Sequence, residues 1–328
     1  MVKNWLITGG CGFIGTSLIQ HLLQGKFGVN IRVLDNLSVG SRDDLAGVSR
    51  FRELGSDGLF GQSEGVELIQ GDIRNYQDCL NACAGREVIV HLAANTGVAL
   101  SVENPLQDME VNVAGMVNIL EAARRHNVSR FIFASSGAPL GEVEPPIHEE
   151  KVPRPVSPYG ASKLAGEGYC SAYYRTFGIR TVSLRFGNVY GPRSKHKSSV
   201  VAKFFRNALD GKPLEVYGDG CQTRDFIYID DLTNAILLSL RADTGGEVFQ
   251  IATHKETTVN TIAELIQRIV ESETGIKTTI VHRGNRLGDV RRNYSDISKA
   301  KSVLGFEPVY DLQKGLRETF EYFRREQA

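Results

Sequence analysis

The chain opens on a short apolar run that ends in a turn with regularly spaced glycines. Residues 4–8 predict a buried strand, and Gly9, Gly12 and Gly15 then lead into a helical pattern of leucine and isoleucine. Glycines at this spacing permit a tight turn, close approach of the backbone to a pyrophosphate, and close packing of the helix on the strand. The amino end of that helix adds unpaired amides and a partial positive charge. The segment therefore predicts a strand, turn and helix that bind a dinucleotide.

A carboxylate follows the second apolar run at the distance that such a unit requires. Asp35 lies twenty residues after Gly15, at the end of the run 31–34. A carboxylate there can accept the ribose hydroxyls of an adenosine and would repel a 2′-phosphate, which favours NAD over NADP. Arg42 is close enough in sequence to keep NADP open as an alternative.

Apolar runs and helical patterns alternate through the first part of the chain, which predicts a parallel sheet covered on both faces. We expect strands near 3–8, 30–34, 66–70, 87–92, 130–135 and 179–186, with helices near 13–24, 75–84, 109–126 and 158–177. The connection 38–65 is longer than the others. The fold class is thus α/β, with a doubly wound parallel sheet.

The regular alternation of strands and helices ends at about residue 186, after which turn-rich segments separate shorter elements. Helices are predicted near 200–210, 230–241, 258–273 and 311–326, without regular strand partners. This part predicts a smaller mixed lobe over the carboxyl ends of the strands. We assign 1–186 and about 226–252 to the dinucleotide-binding domain, and 187–225 and 253–328 to a substrate-binding lobe.

Composition and charge exclude several classes of function. The 38 basic and 38 acidic side chains cancel, which argues against nucleic acid as a partner. No apolar stretch approaches the ~20 residues of a membrane span, and the first strand leaves no room for a cleaved signal, so we expect a cytoplasmic protein. The five cysteines lack the paired spacing of a metal site, so we expect reduced thiols and no metal. His91, at the end of a strand, is predicted to be a packed core residue.

Tyr159 and Lys163 are the strongest candidates for chemistry. They lie four residues apart, so they share one face of a predicted helix that Ser157 caps and Gly178 ends. A phenol has a pKa of ~10, and its use as a base at neutral pH requires ~4 kcal/mol of phenolate stabilisation, part of which a lysine ammonium can supply. An ordinary amphipathic helix is the alternative. The hydroxyl of Ser136, which ends the preceding strand, and the glycine turn favour a site.

With these features together, the chain resembles the extended short-chain dehydrogenase/reductase family, and within it the nucleotide-sugar (UDP-sugar) 4-epimerases. The resemblance covers nearly the whole chain. Its specific marks are the segments 8–15, 35–38, 71–73, 91–94, 184–192, 223–226 and 288–289. It implies a Rossmann-type sheet and bound NAD.

The resemblance also implies which residues contact the cofactor and the substrate. Cofactor contacts are expected from Gly9, Gly12, Phe13, Ile14, Asp35, Asn36, Ser38, Asp72, Ile73, Leu92, Ala93, Ala94, Tyr159, Lys163 and Phe186. In that set Asp72 and Ile73 hold the adenine, and Lys163 bonds the nicotinamide ribose. Substrate contacts are expected from Ser136, Asn188, Lys195, Val200, Tyr217, Arg224, Arg286 and Asp289.

The family mechanism assigns a role to each catalytic group. Tyr159, as phenolate, takes the proton of the sugar 4-hydroxyl while C4 passes a hydride to NAD. Ser136 donates a hydrogen bond to the same oxygen, and Lys163 helps to hold the phenol pKa down. The 4-keto sugar then turns and regains the hydride on its other face. Family resemblance further implies a homodimer through the helices near 100–126 and 158–177.

The loop after Ser136 separates this reaction from its neighbours in the family. Dehydratases and decarboxylases place acidic residues in the next two positions, where this chain has Gly137 and Ala138. That difference favours plain epimerisation, and a dehydratase or oxidoreductase of the same family is the alternative. Leu140 replaces the tyrosine that is usual before Gly141. A dinucleotide sensor without enzymatic activity is a further alternative, which the presence of Ser136, Tyr159 and Lys163 disfavours.

The sugar is less constrained than the reaction. Asn293 occupies a position that gates N-acetyl acceptance in the family. Its side chain is intermediate in size, so it does not distinguish an N-acetylated sugar from one with a free hydroxyl. Lys195 and His196 could face a uronate carboxylate, although uronate epimerases tend to have threonine at the position of Asn188. We rank UDP-glucose or UDP-N-acetylglucosamine first and UDP-glucuronate next.

Overall fold

A parallel β-sheet forms the centre of the computed structural model, which describes residues 3–55, 65–284 and 290–327. Its strands are β1 (Asn4–Thr8), β2 (Asn30–Asp35), β3 (Phe51–Leu54), β4 (Val66–Gln70), β5 (Val88–His91), β6 (Arg130–Ser136), β7 (Arg180–Phe186) and β12 (Glu247–Ile251). Every pairing between neighbouring strands of this sheet is parallel. Strands such as β1 are buried along their whole length, as expected for a sheet that is covered on both faces.

The strand order β12-β7-β6-β5-β1-β2-β4-β3 reverses direction between β1 and β5. The chain builds outward from β1 through β2 and then continues from β5 on the opposite side. Such a reversal leaves a crevice at the carboxyl ends of the two central strands, which is where doubly wound folds bind ligands. The predicted fold class is confirmed.

Helices cover both faces of the sheet. They are α1 (Phe13–Gln24), α2 (Arg42–Ala46), α3 (Tyr76–Cys83), α4 (Val98–Glu103), α5 (Pro105–Met109), α6 (Gly115–Arg125), α7 (Pro158–Phe177), α8 (Val200–Leu209), α9 (Ile229–Arg241), α10 (Val259–Thr274) and α11 (Leu312–Gln327). A π-helical turn, Glu110–Ala114, joins α5 to α6, and another spans Ala300–Leu304. On one face α1 and α9 contribute apolar side chains to the core, and on the other α3, α6 and α7 do so. Among the described residues, no helix combines the length and apolarity that a bilayer crossing needs.

The connection 38–65 contains more structure than the sequence predicted. It holds the short helix α2 and the edge strand β3, which pairs with β4. β3 has the sequence Phe-Arg-Glu-Leu, and its two central residues are exposed. A short edge strand with charged side chains gives no apolar run for sequence analysis to detect. Residues 56–64 of this connection lie outside the described part of the chain.

The prediction that the later helices lack strand partners was wrong. β12 joins the main sheet beside β7, and shorter strands form pairs outside it. These pairs are β8 (Asn188–Tyr190) with β11 (Phe226–Tyr228), β9 (Leu214–Tyr217) with β14 (Ile280–Arg283), and β10 (Thr223–Arg224) with β13 (Thr257–Thr258). Strands of two to five residues are too short to show a periodicity of their own. The division into two domains stays a prediction.

Candidate active site

The glycine turn between β1 and α1 is held in place by the chain itself. Gly9 has a φ of 68°, and its amide donates to the Leu34 carbonyl oxygen at 2.9 Å. A Cβ on Gly9 would lie 2.8 Å from the Ala93 nitrogen, and a Cβ on Gly15 would lie 2.5 Å from the Gly10 Cα. Backbone atoms cannot give way as a flexible side chain does, so these two positions require glycine.

Gly12 differs from its two neighbours in the turn. A Cβ there would meet a single atom, the Gly9 carbonyl oxygen at 3.3 Å, a tight contact that a shift of a few tenths of an ångström would relieve. Gly12 is also the N-cap of α1 and has no side chain that could satisfy the first amides. Open amides at a helix amino end and space for close approach fit a pyrophosphate. The residues of the turn therefore fit a dinucleotide.

Asp35 holds the turn against the end of β2. Its carboxylate accepts the Cys11 amide at 2.9 Å and the Leu37 amide at 2.8 Å. Burial raises the pKa of Asp35, while the two amide hydrogen bonds act in the opposite direction. Each carboxylate oxygen accepts one amide and keeps capacity for a ribose hydroxyl. Arg42, which had left NADP open, donates to Glu53 at 2.7 Å and to Gln70 at 2.7 Å.

The residues expected at the adenine come together at the ends of β2 and β4. The Asn36 amide donates to the Asp72 carboxylate at 3.1 Å, and Ile73 is buried next to it in sequence. Arg74 donates twice to the same carboxylate, at 3.0 and 2.7 Å, and lowers the pKa of Asp72 to about 2. The sequence analysis missed Arg74. Asp72 is therefore a fixed acceptor at this end of the site.

His91 is a packed core residue, as the sequence predicted. It is buried between the rings of Phe131 and Phe133, and burial lowers its pKa to about 3. Its Nδ1 shares a hydrogen bond of 2.8 Å with the Thr8 hydroxyl, which also accepts the Ala93 amide at 3.2 Å. A neutral histidine thus fixes the start of the segment 92–94, which we expect to line the pyrophosphate.

Ser136 and Tyr159 meet at the carboxyl end of β6. Tyr159 lies in the first turn of α7, whose N-cap Ser157 accepts the Gly160 amide at 3.1 Å, as predicted. The Ser136 hydroxyl is close enough to Tyr159 to favour its phenolate, and it accepts the Ala138 amide at 3.2 Å. Two hydroxyl groups are thereby aimed at the same small volume.

Lys163 lies one turn further along α7, behind Tyr159. Its buried ammonium donates to the Ala134 carbonyl oxygen at 2.9 Å and lies 4.9 Å from the Phe133 ring centre. It is 5.8 Å from the centre of the Tyr159 ring. Burial lowers the pKa of Lys163 to about 8, against the opposing effects of Asp108 and Glu167.

The chain's own groups leave the Tyr159 phenol protonated. Burial raises its pKa to about 12, even though the hydrogen bond with Ser136 favours the phenolate. The expectation that Lys163 contributes to a low phenol pKa is thus not met by the protein alone. Burial penalises the phenolate more than the nearby groups stabilise it. A catalytic phenolate at neutral pH needs a further positive charge, which oxidised nicotinamide would supply.

Two buried polar networks behind the site were missed by sequence analysis. In one, Asn112 of the π-helical turn accepts the Asn95 amide at 2.8 Å and donates to Asp108 at 2.9 Å and Ser162 at 3.3 Å. The available signal was a set of polar residues inside apolar helical patterns.

The other network is a buried ion pair. Glu167 accepts the Ser135 hydroxyl at 2.6 Å and two bonds from Arg185, at 2.8 and 2.7 Å. Both charged side chains are almost fully buried. The network ties α7 to β6 and β7 beside the catalytic groups.

The expected substrate residues lie on the short elements of the smaller lobe. Asn188 begins β8, Tyr217 ends β9, and Val200 is the first residue of α8. The Arg224 guanidinium donates to the carbonyl oxygens of Thr223 at 2.6 Å and Val290 at 2.7 Å. Arg286 and Asp289 lie outside the described residues.

Lys195, an expected substrate contact, forms ion pairs with two acidic side chains. Its ammonium lies 2.7 Å from a Glu326 carboxylate oxygen and 3.1 Å from an Asp44 oxygen. Its hydrogen bonds with Glu326 and Asp44 raise the pKa of Lys195. His196 lies 3.4 Å from the same Asp44. Neither partner could be recognised from the sequence, because Asp44 and Glu326 are far from Lys195 along the chain.

Within the described part of the chain, no group of three or more histidine, cysteine or acidic side chains is placed to hold a metal ion. The described cysteines are all free thiols.

Comparisons with known proteins agree with this geometry. The model of the NAD dependent epimerase/dehydratase family matches residues 5–252. The chain is 35% identical to a putative UDP-glucose 4-epimerase of Methanocaldococcus jannaschii, over 97% of this chain and 98% of the relative. It is 32% identical to a UDP-glucuronate 4-epimerase of Thermodesulfobacterium geofontis, over 97% and 95%. The crystal structure of a Thermotoga maritima UDP-glucose 4-epimerase with UDP-glucose superposes with a TM-score of 0.87 at 35% identity, covering 99% of this chain and 100% of that one.

The single close contact beside Gly12 predicts a specific effect of a methyl group there. Gly12→Ala should still fold and should lose far less stability than Gly15→Ala, because its Cβ meets one atom at 3.3 Å whereas a Cβ on Gly15 would meet backbone atoms at 2.5 Å. The affinity of Gly12→Ala for NAD should fall at least tenfold, since the added methyl group would lie where the pyrophosphate approaches. Gly15→Ala is the matched comparison and should lose stability instead. Calorimetric melting and NAD titration test both variants, and unchanged NAD affinity in Gly12→Ala would contradict the assignment.

The raised pKa of Tyr159 predicts its titration. In protein stripped of dinucleotide, the phenol should stay protonated up to about pH 10, because a raised pKa favours the neutral form. Added NAD should move the titration to lower pH. Carbon NMR of Cζ-labelled tyrosine measures this, with Tyr159→Phe identifying the resonance. A phenolate signal below pH 9 without dinucleotide would show that the chain alone stabilises the anion.

Proposed function

Because the chain belongs to the NAD-dependent epimerase/dehydratase family, we propose that it inverts C4 of a UDP-hexose through a transient 4-keto sugar. UDP-glucose or UDP-N-acetylglucosamine is the proposed substrate. The proposal rests on the pair Ser136 and Tyr159, whose side chains lie next to each other, with the Lys163 ammonium 5.8 Å from the centre of the Tyr159 ring. The pair lies at the carboxyl edge of the sheet, two strands from the glycine turn.

The residues at this edge divide the proton chemistry between them. Tyr159, as phenolate, takes the proton from the 4-hydroxyl and later returns it to the same oxygen. Ser136 donates a hydrogen bond to that oxygen, whose charge changes as the carbonyl forms. Lys163 adds positive charge on the far side of the phenol. NAD, when bound beside these residues, would supply the hydride acceptor and donor for C4.

The loop after Ser136 supports epimerisation over elimination. Gly137 and Ala138 carry no acid that could protonate a leaving group. Leu140, in place of the usual tyrosine, is completely buried, so its side chain packs inward and does not reach the substrate. The replacement of the usual tyrosine by Leu140 therefore affects the packing of the loop and does not remove a group that the proposed epimerisation uses.

The ion pairs of Lys195 help to distinguish a neutral sugar from a uronate as the substrate. A uronate would need a cation for its carboxylate, and Lys195 is already held by Glu326 and Asp44. This arrangement supports a neutral hexose. UDP-glucuronate stays the second candidate, because one relative carries that activity in its name.

Proton NMR of the purified protein with each of the three UDP-sugars, without added cofactor, tests the proposal. One of them should give its 4-epimer. Tyr159→Phe should lower turnover by about three orders of magnitude while NAD stays bound, since general acid–base catalysis contributes ~10²–10⁴-fold. Tyr174→Phe removes a phenol oxygen from the same helix and should keep full activity.

Each alternative has its own signature in this assay. A 4-keto product or rising NADH absorbance would indicate a dehydratase or an oxidoreductase. Bound NAD with no turnover of any sugar would favour a dinucleotide sensor. Full activity of Tyr159→Phe would overturn the catalytic assignment.

We also propose a homodimer in which a second copy covers α4, α5 and α7. Large apolar side chains are exposed on these adjoining helices, including Leu100 (51%), Leu106 (72%) and Phe177 (50%). Exposed apolar groups concentrated on one surface are typical of an interface. Size-exclusion chromatography with light scattering should give twice the chain mass, and Leu106→Asp should shift it toward one chain. A wild-type monomer would contradict the proposal.

A further inference from the structure

Lys197 is a partly buried cation that the catalytic scheme does not use. It lies in the loop between β8 and α8, and its ammonium donates to the Val189 carbonyl oxygen at 2.8 Å. The same ammonium lies 5.3 Å from the ring centre of Phe13, the first residue of α1. The flanking lysines are paired with acids: Lys195 with Asp44 and Glu326, and Lys203 with Glu215. Lys197 has no carboxylate within 4.0 Å in the described ranges.

A cavity of about 210 Å³ opens beside this ammonium. It is lined by Gly187, Asn188, Val189, Lys197, Ser199, Val200, Val201 and Phe226, and it contains no acidic side chain from the described residues. The Ser199 hydroxyl oxygen is buried there and has no hydrogen-bond partner in the part of the chain that the structure describes. The cavity thus combines an ammonium, an unused hydroxyl and the Asn188 amide.

The amino end of α8 adds to the positive character of the cavity. Ser199 is the N-cap of this ten-residue helix, yet its hydroxyl makes no capping bond. Val200 and Val201, the first helical residues, line the cavity. The amides of a first turn lack partners within the helix and carry partial positive charge, which suits a phosphate group.

The energetics of Lys197 favour an anion in this cavity. Burial lowers its pKa to about 8, because the ammonium has lost water without gaining an acidic partner. The Val189 carbonyl takes one of its three N–H groups, so two remain for a ligand. An anion beside it would offset the loss of hydration.

We propose that Lys197 binds the diphosphate of the nucleotide sugar, as a cation additional to Arg224. The inference rests on the proposed function, which supplies the diphosphate. Asn188 and Val200, which the family resemblance implies as substrate contacts, line the same cavity. Lys197 also contacts the helix of the glycine turn through Phe13, so one side chain touches both the dinucleotide-binding unit and the substrate lobe.

Calorimetric titration of the full-length protein with UDP, UMP and uridine tests this assignment. Lys197→Met keeps the length of the side chain and removes its charge. It should weaken UDP binding at least tenfold, weaken UMP binding less, and leave uridine binding unchanged. Lys197→Arg keeps the charge and should retain UDP affinity within about threefold. Lys212→Met, which removes an exposed cation paired with Asp210 at the far end of α8, should bind all three as the wild type does.

Two results would overturn the assignment. One is wild-type UDP affinity in Lys197→Met. The other is an equal loss for UDP and uridine, which would indicate that Lys197 only supports the fold of the lobe. If Lys197→Met does not fold, acetylation of the wild-type protein read by mass spectrometry decides instead. UDP should protect Lys197 and uridine should not, and equal labelling with both would reject the contact.

The binding measurements separate this inference from the proposed reaction. Selective loss of UDP affinity in Lys197→Met, together with no epimerisation of any UDP-sugar by the wild type, would refute the reaction and keep the contact. Normal turnover with unchanged UDP affinity in the variant would refute the contact and keep the reaction. A wild-type protein that binds no UDP would refute the contact as well.

Discussion

The close approach of the glycine turn to the ends of β2 and β5 is the constraint on which the site depends. Gly9 can sit against the Ala93 nitrogen only because it has no Cβ, and the Asp35 carboxylate fixes the same turn through the Cys11 amide. These contacts set where β1 ends relative to its two neighbours. These same contacts shape the crevice at the reversal of strand order. Ser136, at the end of β6, lies at the same edge of the sheet.

A buried lysine, Lys163, and a partly buried one, Lys197, follow one electrostatic pattern at this edge of the sheet. Lys163 donates to the Ala134 carbonyl oxygen and Lys197 to the Val189 carbonyl oxygen, and burial lowers the pKa of each to about 8. A carbonyl oxygen orients an ammonium without neutralising it, whereas a carboxylate would cancel its charge. The charge therefore stays available to a ligand. For Lys163 we propose that the group it stabilises is the phenolate of Tyr159, formed when NAD is bound, and for Lys197 we infer a diphosphate.

Sequence analysis predicted what depends on local pattern. The strands of the first half are apolar runs between turn residues, and Ser157 and Gly178 bound α7 as expected. It missed β3 and the short strands after residue 186, since their pairing depends on partners distant in the chain. The ion pairs of Lys195 could not be predicted for the same reason, because Asp44 and Glu326 approach it only in the folded protein. Lys197 has no motif of its own, and its burial becomes evident only in three dimensions.

The register of α7 on the sheet follows from residues that take no part in the proposed chemistry. Tyr159, Lys163 and Glu167 lie four residues apart, so they form one stripe on the helix. Gly166 lets this face approach the sheet, because a Cβ there would lie 2.5 Å from the Phe133 ring. Glu167 then receives Arg185 and Ser135, and removal of one partner of a buried ion pair is strongly destabilising. The buried pair therefore fixes the height of α7 on β6, which in turn brings the Tyr159 hydroxyl to Ser136.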